Sequence, residues 1–301
     1  MLLVFCRDPL ESARPDRSFR AEVQAAEALD VERILIDHDA LVRGESPGRM
    51  VRGVAERPEP TTAVYRGWMT TPAHYAVLHD ALAGRNIRLV NDPAQYRHCH
   101  HLPDSYEAIA GLTPRSVWLE GDPGLDRIMA SLATFGGGPA IVKDFVKSRK
   151  HEWFEACFLP RSDDREAVAR VVGRFRELQG DDLAGGLVFR EYVEFQPIGT
   201  HPRSGMPIVD EHRIFWLDGQ PIFHTPYWEG FEAAGQPPPV ADFAEAAARV
   251  PSRFFAMDVA RRRDGAWMIV ELGDGQVSGL PREADAPAFH ATLLARLGRA
   301  G

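Results

Sequence analysis

The sequence predicts a mixed α/β protein with three lobes. Strand and helix patterns alternate over the first hundred residues, the middle of the chain reads strand, strand, helix, strand, and the last third contains two predicted hairpins. Of the 301 residues, 45% are hydrophobic and 26% charged. These proportions are typical of an ordinary folded protein, and they exclude the disordered and fibrous classes.

The first lobe, residues 1–100, is predicted to be an α/β unit. Short apolar runs predict strands, and apolar residues at helical spacing predict the helices between them. The strands are predicted at residues 2–6, 31–36, 63–65 and 87–90, and the helices at residues 20–29 and 72–83. Residues 43–62, rich in Gly, Pro and charge, predict a long loop, and residues 91–103 a connector.

The second lobe, residues 101–195, begins its strands after a run of three glycines that lacks the Gly-Lys-Ser/Thr of a Walker loop. Residues 140–145 and 153–159 are predicted to form a hairpin. Ser162 and Asp163 are predicted to cap a helix that ends at Gly180. Alternating residues over 187–195 predict the next strand.

The third lobe, residues 196–301, is predicted to contain two hairpins and two helices. Asp218-Gly219, a dipeptide favoured in tight turns, separates one pair of strands. The predicted strands are residues 213–217, 221–225, 254–260 and 267–272, and the predicted helices are residues 243–250 and 286–297.

Charge and cysteine content narrow the functional classes. The formal net charge of −8 disfavours nonspecific nucleic-acid binding. No apolar run is long enough to span a bilayer. Cys6, Cys99 and Cys157 are scattered and odd in number, which suits reduced thiols better than disulfides. We therefore expect a cytoplasmic protein without a signal peptide or a membrane partner.

Lysine use is the most unusual feature of the composition. The chain has 32 arginines but only three lysines, Lys143, Lys147 and Lys150, all within eight residues. Because this chain uses arginine as its general basic residue, lysine kept in one short segment indicates a site that needs a point charge. A site for phosphate oxygens is an example. The alternative is a chance cluster in a solvated loop.

Two acidic residues are predicted to face each other in the last hairpin. If Asp264-Gly265 are the centre of a two-residue turn, then Arg263 pairs with Ala266, and the same register places Asp258 opposite Glu271. Directly opposed side chains have β-carbons about 4.5–5.5 Å apart, so the two negative charges repel each other. A divalent cation such as Mg²⁺ removes that repulsion.

Two alternatives to this metal site stay open. One carboxyl is protonated, or the register slips by one residue and leaves two unrelated acids. A three-residue turn or a bulge breaks the predicted pairing, so the metal prediction depends on the register. Asp274, three residues after Glu271, is a candidate third carboxylate ligand.

In chain order, these motifs resemble the ATP-grasp family between about residues 87 and 281. Lys143, in PAIVKDF, matches the strand lysine that holds phosphates in that family, and residues 145–152 stand where its mobile loop lies. The segment FREYV, which contains Glu191 and Val193, resembles the adenine-binding strand. For Glu191, the alternative is a solvated strand residue.

The metal-binding positions also match, with one departure. Asp258 in FFAMDVA and Glu271 in IVELGDG correspond to the family's Mg²⁺-binding Asp and Glu. The usual Asn two residues after the Glu is Gly273 here, so the third ligand is Asp274 or water. RGWM, residues 66–69, and KDFVKSRKHEW, residues 143–153, resemble a bacterial and viral clade named for one arginine and two lysines.

The resemblance implies an ATP-grasp fold with an N-terminal α/β lobe before it, and an ATP- and Mg²⁺-dependent ligase. In such enzymes a small-molecule or peptide carboxylate attacks the γ-phosphate, and an amine or similar nucleophile then displaces phosphate from the acyl phosphate. The implied ATP-binding residues are Lys143, Lys147, Lys150, Glu191 and Val193. The alternatives are a nucleotide-binding regulatory protein without turnover and an ATP-dependent kinase.

Two arginines are candidate substrate contacts. Arg213, in EHR, resembles the family's arginine near the transferred phosphate, and it is a catalytic candidate together with Lys147. Its alternative role is an ion pair with Glu211. Arg66 is the second candidate, with support of a lobe interface as the alternative. The adjacent residues 98–101, His-Cys-His-His, lack the spacing of a zinc site.

Overall fold

The computed structural model describes residues 1–231 and 235–298. Within them the strands form three four-stranded sheets and one two-stranded sheet. Each four-stranded sheet falls inside one predicted lobe, because the sheets use residues 2–89, 116–191 and 211–274. The predicted mixed α/β class is therefore confirmed. No helix in the described residues is both long enough and apolar enough to cross a bilayer.

The first sheet is parallel and lies between helices. The elements of this lobe are β1 (Leu2–Cys6), α1 (Arg20–Ala28), β2 (Arg33–Ile36), α2 (His38–Val42), α3 (Pro47–Met50), β3 (Thr61–Tyr65), α4 (Pro72–Ala83) and β4 (Ile87–Leu89). The strands pair in the order β2-β1-β3-β4. β1 is buried along its whole length, as expected of a central strand covered on both faces. The predicted loop at residues 43–62 contains the short helix α3.

The segment after β4, predicted as a connector over residues 91–103, is helical. It contains α5 (Pro93–His100) and α6 (Leu102–Ile109). The Asp92 side chain accepts a hydrogen bond from the backbone of Gln95, and the Gln95 side chain accepts one from the backbone of Asp92. This reciprocal cap, with proline at the first helical position, stabilises the start of α5.

The second sheet is antiparallel, with the strand order β5-β8-β6-β7. Its lobe contains β5 (Ser116–Glu120), α7 (Leu125–Leu132), β6 (Ala140–Asp144), α8 (Trp153–Ala156), β7 (Phe158–Leu159), α9 (Arg165–Gln179) and β8 (Gly186–Glu191). The cap of α9 is Asp164, which accepts a hydrogen bond from the backbone of Ala167 at 3.0 Å. The predicted cap residues Ser162 and Asp163 lie just before it.

The predicted strand over residues 153–159 is mostly wrong. Residues Trp153–Ala156 form the helical turn α8, and only Phe158–Leu159 pair with β6. The rings of Trp153 and Phe158 stack with centroids 5.5 Å apart. Five residues of strand span about 16 Å, so an extended chain cannot bring these rings together.

The third lobe begins with the two-stranded sheet and continues into the third four-stranded sheet. Its elements are β9 (Pro197–Thr200), β10 (Pro207–Val209), β11 (Glu211–Leu217), β12 (Gln220–Pro226), α10 (Ala244–Arg249), β13 (Phe254–Arg261), β14 (Trp267–Asp274) and α11 (Ala286–Leu297). The large sheet is antiparallel with the order β12-β11-β13-β14. Asp218 and Gly219 both have positive φ, 48° and 73°, which confirms the predicted tight turn.

The β13–β14 hairpin has the predicted carboxylate pairing, but its turn differs from the predicted turn. Arg262, not Arg263, donates its backbone N–H to Ala266, at 2.7 Å, so the turn has three residues and the near register is shifted by one. A bulge at Val270 shifts it back, and Asp258 lies opposite Glu271 as predicted. The Arg263–Ala266 pairing is therefore wrong and the Asp258–Glu271 pairing is confirmed, because the two irregularities cancel.

Packing joins the first and third lobes and leaves the second with its own core. Leu3 and Phe5 of β1 share a core with Phe215 of β11 and Phe289 of α11. The core of the second lobe consists of buried side chains from residues 128–189, with partly buried residues of the same lobe, such as Val117 and Leu125, packed against it. Short 3₁₀ turns complete the described structure at Arg17–Phe19, Ala133–Phe135, Lys150–Glu152, Gly180–Asp182 and Val240–Phe243.

Candidate active site

Two adjoining cavities lie where the second lobe meets the third. The large cleft, about 1180 Å³, has Ile141 and Arg190 of the second sheet among its walls, with Glu211 of the third. The side cavity, about 870 Å³, lies between residues of all three lobes. Lys143, Tyr227 and Glu271 line both spaces. We call these three residues, together with Arg213 and Asp258 of the side cavity, the junction of the two spaces.

At this junction, a lysine of the second lobe pairs with a carboxylate of the third. Lys143, in the buried strand β6, places Nζ 3.0 Å from Oε2 of Glu271. Burial raises the pKa of Glu271, but the charge and hydrogen bond of Lys143 outweigh it and bring the pKa to about 2. Glu271 is therefore an anion held by Lys143, and its side chain stays 39% exposed to the cavities.

The opposite carboxylate, Asp258, is held by Arg213. Arg213 donates from Nε and Nη2 to the two oxygens of Asp258 at 2.8 and 2.7 Å, and from Nη1 to the carbonyl of Gly279 at 2.9 Å. Its partner is thus Asp258 rather than the predicted alternative, Glu211. Burial raises the pKa of Asp258 and Arg213 opposes this, while the charge of Glu271 adds to the rise; the net direction is upward.

The donor chemistry of this pair fits a divalent cation. A carboxylate offers about four lone-pair sites, so Arg213 leaves Asp258 able to accept further ligands. Lys143 contacts one oxygen of Glu271 and leaves the other available. Mg²⁺ in phosphate chemistry takes one or two carboxylates together with phosphate oxygens. Asp258 and Glu271 therefore suit Mg²⁺ as a pair.

Asp274 is not brought to this pair. It lies three residues beyond Glu271 in an unbroken stretch of register, so its side chain falls on the opposite face of the sheet. Its carboxylate accepts hydrogen bonds from Asn91 Nδ2 at 2.6 Å and from the backbone of Gln276 at 2.9 Å. The described residues contain no group of three or more His, Cys, Asp or Glu side chains arranged to hold a metal ion.

Gly273 stands at the position of the family's Asn, and its surroundings leave little room for a side chain. A β-carbon there would lie 2.7 Å from Oγ of Ser278. That hydroxyl is fixed by donating to the carbonyl of Asp274 at 2.8 Å. Residue 273 therefore supplies no side-chain ligand to the site.

The other two lysines lie in different surroundings. Lys150 lines the large cleft, with Nζ 3.3 Å from the hydroxyl of Tyr227 and 4.8 Å from the ring centroid of Trp228. Lys147 is exposed and lines neither cavity; its backbone N–H donates to Asp144 Oδ1 at 2.5 Å. The structure thus places Lys143 and Lys150 in the cleft and leaves Lys147 outside it.

The residues predicted to meet adenine line the far side of the large cleft. Glu191 ends β8 and Val193 follows it, and both contribute to the wall. The Glu191 carboxylate points to Arg115, 3.5 Å away, and is 44% exposed. This agrees with the alternative of a solvated side chain.

Arg66 lies in the interface of the first and third lobes. Its guanidinium donates to both oxygens of Glu22, at 2.7 and 2.9 Å, and to the carbonyl of Gly275. It is 2% exposed and lies over the rings of Phe215 and Phe289. Because Arg66 lines neither cavity, this geometry favours the lobe-interface alternative over a substrate contact.

Glu211 and Tyr227 line the site although no site role was predicted for either residue. Glu211 lines the large cleft and accepts a hydrogen bond from Trp228 Nε1 at 2.9 Å. Burial, with the charge of Asp258 next, raises the pKa of Glu211 to about 8. Strand alternation in the sequence could have identified Glu211 as a site residue, because it places Glu211 on the same face of the strand as Arg213. No such pattern identifies Tyr227, since its position follows from the packing of the lobes.

Arg190 of the second lobe stabilises the bulge that sets the carboxylate register. The bulge frees the carbonyl of Val270 from the β-ladder, and Arg190 donates to it from Nη1 at 2.6 Å. Its other nitrogens donate to Thr113 Oγ1 at 2.7 Å and Ser116 Oγ at 3.2 Å. One buried arginine therefore ties the second sheet to the hairpin that carries Asp258 and Glu271.

The chain matches one family model, and it shares its fold with solved structures. Residues 134–297 match the model of an ATP-grasp domain, family 3 of the clade named for one arginine and two lysines. This match covers more than half of the chain. A comparison with curated proteins gave no match.

Solved structures match over nearly the whole chain. A RimK domain ATP-grasp protein from Sphaerobacter thermophilus is 18% identical with a TM-score of 0.60, covering 97% of this chain and 98% of its own. D-cycloserine synthetase DcsG is 16% identical with a TM-score of 0.61, covering 99% and 100%. The ATP-grasp ligase PsnB, complexed with minimal precursor, Mg and ADP, is 17% identical with a TM-score of 0.54, covering 97% of each chain. At these identities the likeness establishes the fold.

Proposed function

The chain belongs to the ATP-grasp family, in the clade named for one arginine and two lysines, and from this membership we propose that it is an ATP-dependent ligase. The proposed reaction joins a carboxylate to an amine or similar nucleophile. One observation carries the proposal: two facing carboxylates, Asp258 and Glu271, lie at the junction of two cavities, each paired with a basic residue. ATP-grasp ligases are also among the solved structures that share the fold.

ATP is proposed to occupy the large cleft. Apolar residues such as Ile141 and Val270 offer a slot for the base. The backbone N–H groups of Glu191 and Tyr192 already donate to Arg115 and Pro139, so the backbone of Val193 is proposed to contact the base. Lys143 and Lys150 then lie on the side of the phosphates. Lys147 joins them when the loop after β6 closes over the nucleotide, and its catalytic role is proposed on that basis.

The charges at the junction support a divalent cation when ATP binds. A triphosphate adds about four negative charges to a site that already holds three acidic side chains, the buried Glu211 and Asp258 and the part-exposed Glu271. Asp258 and Glu271 would hold Mg²⁺, which supplies charge neutralisation at the β- and γ-phosphates. The other groups that meet this charge belong to Lys143, Lys150 and Arg213.

In the proposed first step, an oxygen of the substrate carboxylate attacks the γ-phosphorus. The bond from that phosphorus to the β,γ-bridging oxygen breaks, and ADP leaves with the bond's electron pair. In the second step the nucleophile attacks the acyl carbon and phosphate leaves with the C–O electron pair. The proton lost from an amine is taken up by that phosphate. Electrostatic stabilisation by Lys143 and Arg213 suffices for this chemistry, and no protein nucleophile is required.

A regulatory protein that binds nucleotide without turnover is the second candidate. The observation in its favour is Gly273, which supplies no ligand where the family has Asn.

A cytoplasmic location is proposed on separate grounds, because Cys6, Cys99 and Cys157 are all buried and unpaired, as in reducing compartments.

Hydroxylamine allows the ligase to be tested before its nucleophile is known, since it converts an acyl phosphate into a hydroxamate. We expect ADP, phosphate and hydroxamate to form in equal amounts from ATP, Mg²⁺, a pool of carboxylates and hydroxylamine. Lys143→Ala should abolish all three products and Asp258→Asn should lower their rate of formation by about 10²–10³. Arg165→Ala, on the exposed face of α9, should leave the rate unchanged. A stable phosphorylated product would indicate a kinase, and nucleotide binding without any product would indicate the regulatory protein.

A further inference from the structure

The side cavity has a charged part and an uncharged part. Five charged side chains line it: Lys143, Arg213, Asp258, Glu271 and Asp274. The first four form the ion pairs of the junction, and Asp274 is engaged by Asn91 and Gln276. All charge in the cavity lining therefore belongs to the junction or is already satisfied.

The remaining lining is uncharged and mostly apolar. It comes from all three lobes and includes Met69, Leu102, Phe145, Val146, Leu272 and Val277. Among the described residues that line the cavity, no further Asp, Glu, Lys or Arg is present. Met69 is 42% exposed, so this part of the cavity is open to solvent.

His100, which also lines this part, is neutral at physiological pH. Burial lowers its pKa most, and the charges of His101, Lys147 and Lys143 lower it further, to about 3. Its ring stacks on Tyr96 with centroids 5.0 Å apart, and Tyr96 stacks on Tyr75 at 4.0 Å. The ring is thus a flat, uncharged wall held by aromatic packing.

The junction keeps donors for a carboxylate. Lysine has three N–H donors and arginine has five. Lys143 uses one on Glu271, and Arg213 uses two on Asp258 and one on Gly279. Donors therefore remain on both residues at the edge of the side cavity.

We propose that the side cavity binds the carboxylate substrate and selects monocarboxylates whose remaining part is apolar and uncharged. This deepens the proposed function and rests on it. The carboxylate lies at Lys143 and Arg213, and the body of the substrate lies against Leu102, Phe145 and Val277. A second charge on the substrate would lose its hydration in the uncharged part, where no lining residue pairs with it.

The test uses acids matched in size, with ATP, Mg²⁺ and hydroxylamine. One series is hexanoate, adipate and 6-aminohexanoate, and the other is N-acetylleucine, N-acetylglutamate and N-acetyllysine. We expect kcat/KM for hydroxamate formation to be at least tenfold higher for the first acid of each series. Equal or faster use of the doubly charged acids would overturn the inference and leave the ligase proposal intact. No hydroxamate from any acid would contradict the ligase proposal itself.

A variant of the uncharged part tests the cause of the preference. Met69→Lys places a cation at its exposed edge, so adipate and N-acetylglutamate should gain at least fivefold in kcat/KM relative to hexanoate and N-acetylleucine. Met69→Leu is the matched control and should keep the wild-type preference. Binding of a nonhydrolysable ATP analogue verifies that both variants are folded. An unchanged preference in folded Met69→Lys would place the substrate body elsewhere and overturn the inference.

Discussion

Two arginine–carboxylate pairs in this chain have the same geometry and different surroundings. Arg66 holds Glu22 through Nε and Nη2 at 2.7 and 2.9 Å, and Arg213 holds Asp258 through the same atoms at 2.8 and 2.7 Å. Burial raises the pKa of Glu22, but Arg66 and His290 outweigh it and lower the pKa to about 2. The pKa of Asp258 is raised instead.

The neighbours explain this difference. Glu22 has two basic residues beside it, with His290 Nε2 at 3.1 Å from its Oε2. Asp258 shares its surroundings with two other acids, the buried Glu211 and the part-exposed Glu271. A pair whose charges are balanced stabilises the fold, whereas a pair crowded by further acids is suited to receive a cation. The same contact therefore serves structure in one lobe interface and function in the cavities.

Removal of Arg66 should have the largest effect. Arg66→Met leaves Glu22 as a buried anion without its main partner, so the free energy of unfolding should fall by about 3–5 kcal/mol. Denaturant unfolding measures this. The control is Arg253→Met, which breaks an equally regular but exposed pair with Asp218 and should cost less than about 1 kcal/mol. Equal losses in the two variants would contradict the distinction drawn for Arg66.

Removal of the Asp258 charge should affect activity rather than stability. Asp258→Asn should lower kcat/KM by about 10²–10³, or about 2.7–4 kcal/mol, as for other groups that stabilise transition-state charge. Its free energy of unfolding should fall less than in Arg66→Met, because asparagine keeps an oxygen that accepts from Arg213, and because burial and the charge of Glu271 already disfavour the Asp258 anion. A large loss of stability with normal activity would reverse the comparison.

Glu22 should contribute to the pH dependence of stability on the acid side, together with Glu271, whose pKa is also about 2. The folded pKa of Glu22, about 2, lies below the ordinary value of 4.5, so its contribution is present above pH 4.5 and is lost as the pH falls toward 2. The shift corresponds to about 3 kcal/mol. Unfolding measured from pH 5 to 2 should show this loss in the wild type. The double variant Glu22→Gln/Arg66→Met should have a flatter profile, and an unchanged profile would contradict the assignment.

Arg190 should link stability to the metal-binding pair. Arg190→Met removes the donor to Val270 and two further buried hydrogen bonds, and hydrogen bonds to charged groups contribute about 1.5–3 kcal/mol. We expect lower stability and a weaker Mg²⁺ dependence of nucleotide binding, since the bulge sets the Asp258–Glu271 register. Lower stability with normal Mg²⁺ dependence would limit Arg190 to a packing role.

The smallest effect is expected at Tyr227. Tyr227→Phe removes the hydroxyl near Lys150 and keeps the ring that Arg213 and Lys150 contact. The hydrogen bond from the Lys150 ammonium is long, at 3.3 Å, so its loss should cost only about 0.5–1.5 kcal/mol and raise KM for ATP by about two- to tenfold. Tyr227→Leu, which also removes the ring, should have a larger effect. Equal effects would show that the ring contributes nothing.

Local patterns in the sequence predicted most elements and part of the site. Helices α4 and α11 begin and end at the predicted residues, because their apolar spacing is regular and proline stands in their first turn. The cap of α5 can also be recognised in the sequence, from Asp92, Pro93 and Gln95, but the segment was interpreted as a connector. The turn at α8 packs the rings of Trp153 and Phe158 against Tyr192, a tertiary contact that the local pattern does not show.

The candidate site was predictable only where one hairpin determines it. Asp258 and Glu271 face each other within β13–β14, although the turn and the bulge that produce this register were not foreseen. The contact between Lys143 and Glu271 joins residues 128 positions apart, and it depends on how two lobes pack. The same holds for the role of Arg66, whose motif gave no sign of its partner Glu22.

The most direct test is a calorimetric titration with a nonhydrolysable ATP analogue, with and without Mg²⁺. We expect the wild type to bind the analogue only with Mg²⁺ and Lys143→Ala to lose binding. We expect Asp258→Asn and Glu271→Gln to bind weakly whether or not Mg²⁺ is present, and so to lose the Mg²⁺ dependence. Asp274→Asn is the matched control on the opposite face and should keep it. Binding by the wild type that is absent, or equal with and without Mg²⁺, would contradict the account of Asp258 and Glu271 as a metal-binding pair.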